Sequence, residues 1–138
     1  MAAVRAKSFT YEVVVDSAGR LSAEDEGTFV EVGDEWTPDH LLLASVVRCS
    51  LASLAFHARR ADLDCTASGT ARGTVTKPDD EERYRFVEID AQLEVELDPA
   101  LDGEPLAELL ARAERDCFVG WSLVSKPTYA WRVNGRDV

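Results

Sequence analysis

The stretch from Pro38 to Asp62 constrains this chain more than any other, because it reads as one long helix that is apolar on most sides through Leu54. Thr37-Pro38-Asp39 opens it. Thr37 is a candidate N-cap, proline suits the first helical position because its missing N–H would have no partner there, and Asp39 meets the positive end of the helix dipole. Arg59 and Arg60 suit the other end. A surface helix carries a polar face; one without it is normally a buried central helix. A chain of 138 residues makes about one domain, and two or three of its strands cover such a helix poorly. A second copy of the chain can supply the missing cover, so the expectation is a homodimer with a large apolar interface.

The segments around this helix alternate between strand and helix patterns. Ser8 to Val15 is β-branched and aromatic, Asp16 to Gly19 supplies a turn, and Arg20 to Val32 reads as one or two short strands interrupted by the acidic corner Glu24-Asp25-Glu26-Gly27. Leu63 to Thr76 mixes polar and small residues, which predicts a half-exposed strand. Lys77 to Glu82 is a hairpin loop. Arg83 to Leu97 then has period two, with Val87, Ile89, Ala91, Leu93, Val95 and Leu97 on one face. Asp98 to Glu104 breaks that strand. Pro105 to Arg115 is an amphipathic helix with Leu106, Leu109, Leu110 and Ala113 inward, Val119 to Val124 is a short segment, and Thr128 to Val133 is a last strand. With no repeats or linkers, residues 1–138 read as a single α+β domain.

Charge and cysteine usage narrow the function. Fifteen basic residues stand against 26 acidic ones, a net charge of −11. Nucleic acid and anionic membrane surfaces both need a basic face, so neither is an expected partner. Met1 to Ser8 has no signal-peptide apolar run behind it, and the most apolar stretch, Leu41 to Val47, ends at Arg48. The expectation is a soluble cytoplasmic protein. Cys49, Cys65 and Cys117 are an odd count with no scaffold spacing; there is no CxxC, and His40 and His57 are the two histidines. Neither a disulfide framework nor a zinc or iron–sulfur site is expected, and no cofactor is.

Cys49 lies within the long helix and Cys117 just after the second one. Free cysteine is among the most buried residue types, so both can be plain core residues. Alternatively one is a reactive thiol and the other its resolving partner; sulfur is nucleophilic as thiolate, and a second thiol within disulfide reach makes its oxidation reversible. Trp36-Thr-Pro-Asp-His-Leu-Leu-Leu-Ala-Ser-Val-Val-Arg-Cys-Ser50 resembles the central-helix motif of the OsmC/Ohr family, in which a Pro-acidic pair precedes the peroxidatic cysteine by ten residues. Pro38-Asp39 and Cys49 stand at that spacing. Ala113-Glu-Arg-Asp-Cys-Phe-Val-Gly-Trp-Ser-Leu123 is similar to the family's second-cysteine motif.

The resemblance implies an OsmC-like fold, with long antiparallel strands packed around the buried helix in an intertwined homodimer whose sites lie at the subunit interface. It implies that Cys49 attacks the distal oxygen of an organic hydroperoxide, that Cys117 resolves the sulfenic acid, and that a dithiol such as a lipoyl group restores the pair, without a metal. The acid of the family motif falls on Asp39, where the peroxidase subgroups carry glutamate. The activating arginine of the N-terminal β region matches Arg20, which also reads as a surface turn residue. The alternative is a non-enzymatic dimer that binds an apolar ligand or senses thiol oxidation. Arg48, one step from Cys49, points about 100° away from it on a helix and reads as a surface or interface cation. His57 is about 12 Å along the axis from Cys49 and reads as structural. Cys65 reads as incidental, and Trp36, Trp121 and Trp131 as core or interface anchors, although Trp121 can wall an apolar pocket beside Cys117.

Overall fold

Period-two alternation builds the sheet that carries the molecule. In a computed structural model that describes residues 6–23 and 30–138, β3 (Asp64–Thr76) and β4 (Arg85–Asp98) pair antiparallel, from Asp64 opposite Asp98 to Thr76 opposite Arg85. The hairpin expected at Lys77 to Glu82 joins them. Along β4 every second residue, Ile89, Ala91, Leu93, Val95 and Leu97, is buried, while β3 is half-exposed throughout. β5 (Thr128–Val133) lies parallel to β4, not antiparallel, with Asp90 opposite Thr128 and Val95 opposite Val133. The reason is the connection: parallel neighbours need a long crossover, and the one here holds α2 (Gly103–Arg115) and the short α3 (Phe118–Ser122). β6 (Arg136–Asp137) closes the order β3-β4-β5-β6.

The long helix α1 (Pro38–Arg60) packs against β3 and α2. α2 turns Leu106, Leu109, Leu110 and Ala113 inward, the four positions its amphipathic spacing predicts. They join Leu54 and Ala58 of α1, Leu93, Val95 and Leu97 of β4, and Trp131 and Val133 of β5 in one core cluster, against which Cys65 packs half-buried. α1 buries only one stripe, Val46, Ser50, Ser53, Leu54 and Ala58; Leu41 to Ser45 are half-buried and Phe56 is 49% exposed. By length and composition α1 is also long and apolar enough to cross a membrane, with a mean hydropathy of 1.7 over 18 residues. The apolar stretch that the sequence ends at Arg48 thus continues beyond it, because one arginine does not offset the apolar residues on either side.

Residues 1–37 form a separate compact unit from residues 38–138. Within it β1 (Val13–Val15) and β2 (Leu21–Ala23) make an antiparallel hairpin, extended by a bridge from Leu21 to Val30. Of the strand expected over Ser8 to Val15, the described pairing covers Val13–Val15 against Leu21–Ala23. The Asp16 carboxylate accepts hydrogen bonds from the N–H groups of Ala18 (2.9 Å) and Arg20 (3.0 Å), and Gly19 takes the positive φ of +83° that closes the turn. The acidic corner at Glu24 to Gly27 lies outside the described residues.

Candidate active site

Two cysteines 68 positions apart in the chain meet where α1 passes the end of the crossover. Cys49 is half-buried on α1, one residue before the buried Ser50. Cys117 caps the start of α3 in an extended conformation and is completely buried. The two thiols lie close enough to perturb each other's ionisation. Around them, Ser50 Oγ lies 2.8 Å from the Val46 carbonyl oxygen and 3.5 Å from Cys117 Sγ. The Tyr129 hydroxyl comes in from β5 beside the same sulfur. It can do so because residue 120 is glycine: a Cβ there would stand 2.7 Å from the Tyr129 hydroxyl oxygen and 3.3 Å from Cys117 Sγ.

The surroundings treat the two sulfurs differently. Burial pushes the Cys49 thiol up, the N–H groups of Val119 and Phe118 pull it back in part, and the neighbouring Cys117 raises it again. None of these groups is a cation. Burial also opposes ionisation of Cys117, yet Ser50, the Gly120 N–H, the Cys49 thiol and the Tyr129 hydroxyl outweigh it and hold that thiol below its ordinary value. Burial and then the neighbouring Cys117 push Tyr129 upward, as expected of a phenol that keeps its proton to donate.

A second set of contacts fixes the approach of the crossover to α1. His57 Nε2 lies 2.7 Å from Asp116 Oδ2, so a half-buried histidine on α1 binds the residue before Cys117. Arg115 adds bonds of 2.9 Å to each Asp116 oxygen. The Arg115 bonds first, then His57, hold the Asp116 carboxyl down at about 2 against the opposing effect of its burial. Ser53 Oγ donates to the Ala113 carbonyl at 2.8 Å, a further tie between α1 and α2.

Of the four residues expected at the site, Cys49 and Cys117 come together. Asp39 does not join them within the chain: it is exposed in the first turn of α1, and the helix runs unbroken from there past Cys49. At 1.5 Å per residue the two are about 15 Å apart along the axis. Arg20 lies in the N-terminal unit, where its Nε donates to Asp16 Oδ2 at 2.8 Å. Arg48 is exposed. Trp131 is a core residue whose indole N–H donates to Glu114 at 2.8 Å. Trp121 is 71% exposed and lines a groove of about 350 Å³ with Gly120, Lys126 and Tyr129. Among the described residues, no group of three or more His, Cys, Asp or Glu side chains can hold a metal ion.

Ser50, Gly120 and Tyr129 escaped the sequence reading. The alternation of β5 carried a signal for Tyr129, since it shares a face with the buried Trp131 and Val133. Nothing local joins position 129 to position 117; that proximity comes from the parallel register of β5 on β4.

The family model for OsmC-like proteins matches residues 31–132. Solved structures with the same fold include the organic hydroperoxide resistance protein OhrB of Bacillus subtilis, 17% identical, with a TM-score of 0.58 over 91% of this chain and 98% of that one. An organic hydroperoxide resistance protein from Elizabethkingia anophelis, with thiocyanate bound, is 12% identical, with a TM-score of 0.64 over 92% and 96% of the two chains. A hypothetical protein from Aquifex aeolicus VF5 is 13% identical, with a TM-score of 0.67 over 94% and 98%. No curated protein matches the sequence.

Proposed function

Because the chain belongs to the family of OsmC-like proteins, we propose that it is a thiol-dependent peroxidase acting on organic hydroperoxides. The observation that carries this function is the proximity of Cys49 and Cys117, two thiols from distant parts of the chain that perturb each other's ionisation, with Ser50, next to Cys49, 3.5 Å from Cys117 Sγ. Cys49 is the half-buried member and takes the nucleophile's part. Its thiolate attacks the distal peroxide oxygen, the O–O bond breaks, the alcohol departs with a proton, and Cys49 is left as a sulfenic acid. Cys117 then attacks Cys49 Sγ, water leaves, and a Cys49–Cys117 disulfide forms. A dithiol such as a lipoyl group reduces that disulfide and is itself oxidised. The steps require no metal or cofactor.

Burial raises the Cys49 thiol, and none of the groups that shift it is a cation. In this reading its activation comes from a charge brought in by assembly. In the proposed homodimer Arg20 supplies that charge at the other subunit's Cys49, and Asp39, too far along α1 to serve its own cysteine, orients the arginine there. The free thiols suit the reducing cytoplasm. The same raised Cys49 favours a second reading, a non-enzymatic dimer that binds an apolar ligand or senses thiol oxidation.

Turnover of the reduced protein with an alkyl hydroperoxide and a dihydrolipoyl reductant separates the two. The peroxidase consumes hydroperoxide over many cycles and stops on Cys49→Ser, whereas Cys117→Ser permits one oxidation and then stalls as a sulfenic acid or over-oxidises. Wild-type protein that consumes no hydroperoxide beyond one equivalent would leave the sensor or binder.

A further inference from the structure

We propose that the Cys49–Cys117 disulfide is reduced in one direction only: the reductant attacks Cys49 Sγ and Cys117 leaves as the thiolate, received by a hydrogen bond from Tyr129, a positioning residue for this step. The inference rests on the disulfide of the proposed peroxidase cycle but concerns its reductive half alone.

Access decides the first part. Thiol–disulfide exchange needs the incoming thiolate in line with the bond it breaks, so the sulfur that can be reached is the one attacked. Cys49 is half-buried, whereas Cys117 has no exposed surface and lies behind Ser50, Gly120 and Tyr129. The second part follows from the donors. A thiolate leaves more readily where donors receive it, and attack at Cys49 expels Cys117 beside two side-chain hydroxyls, Ser50 Oγ at 3.5 Å and that of Tyr129.

Of those two hydroxyls, Tyr129 is the effective one. Ser50 has a single hydrogen, and the Val46 carbonyl at 2.8 Å competes for it with a sulfur at 3.5 Å. The phenol keeps its proton and is steadied by stacking on Trp131, with ring centroids 6.3 Å apart. Gly120 leaves the space that the hydroxyl and the Cys117 sulfur both flank. In the balanced step a reductant thiolate bonds to Cys49 Sγ, the S–S bond breaks, and its electron pair goes to Cys117 Sγ. The second thiol of the dithiol then attacks the reductant's own sulfur. Cys49 is released as the thiolate, a proton is taken up, and the reductant leaves as a disulfide.

The test forms the disulfide with diamide, so that it holds even if the protein proves inert to hydroperoxides. Limiting monothiol of known mass is added, the mixture is acid-quenched, and the adduct is located by peptide mapping. The mass should fall on Cys49 with Cys117 free. Reduction of the same disulfide by dihydrolipoate should slow roughly tenfold in Tyr129→Phe, the effect of removing one hydrogen bond to a developing charge. A merely structural role for Tyr129 lowers the melting temperature and leaves the rate alone. The adduct on Cys117, an unchanged rate in Tyr129→Phe, or failure of diamide to link Cys49 with Cys117 would each overturn the proposal.

Discussion

A methyl group at position 120 would stand 2.7 Å from the Tyr129 hydroxyl oxygen, closer than carbon and oxygen pack without displacement. The residue is buried, and Cys117 Sγ and Pro127 Cγ would each stand 3.3 Å from the same methyl group. Gly120→Ala should therefore cost about 1–3 kcal/mol in denaturant unfolding, the usual range for overpacking, and weaken the approach of Tyr129 to Cys117. Asp39 is a contrasting case, exposed and about 15 Å along the helix from its own Cys49. If it acts across a dimer, Asp39→Asn cuts peroxide reactivity at least tenfold and raises the Cys49 pKa, as followed by alkylation rate against pH. Unchanged reactivity with a loss of about 0.3–1 kcal/mol would leave it as a partner of the helix dipole. The cysteine pair was legible because each thiol sits in its own contiguous motif. Ser50 and Tyr129 were not, because their meaning lies in contacts that only the folded register creates.

At the scale of elements, periodicity served well where one face is buried and the other wet. The inward positions of β4 and α2 fell where their spacing placed them, because burying alternate residues, or one residue per helical turn, leaves little freedom. The direction of β5 was not legible in its residues, since parallel and antiparallel pairing use the same alternation; the length of the crossover decides it. His57 and Asp116 bind α1 to the turn before Cys117, and this contact has a predictable pH dependence. Asp116 is held at about 2, chiefly by Arg115 and then by His57, below its unfolded value of about 3.9. Its contribution to stability is thus present in full above about pH 4 and is lost as the pH falls towards 2. In urea titrations Asp116→Asn should be less stable than wild type at neutral pH, and the difference should close across that acid window. A constant difference down to pH 2 would assign the loss to packing.

At the scale of the whole molecule, the account turns on what covers α1. One stripe of that helix is buried within the chain, Phe56 remains 49% exposed, and Phe118 and Trp121, beside the cysteine pair, are 64% and 71% exposed. Sedimentation at micromolar concentration should give twice the chain mass of 15.2 kDa; a 15.2 kDa species would remove the proposed source of the activating charge. The central claim, that Cys49 and Cys117 act as one redox pair, is tested most directly by mapping the disulfide itself. Reduced protein is treated with one equivalent of an alkyl hydroperoxide, free thiols are alkylated, and the peptides are analysed without reduction. The account predicts an intramolecular Cys49–Cys117 link with Cys65 as the single alkylated cysteine. A dominant disulfide containing Cys65, or three alkylated thiols after exposure to the peroxide, would contradict it.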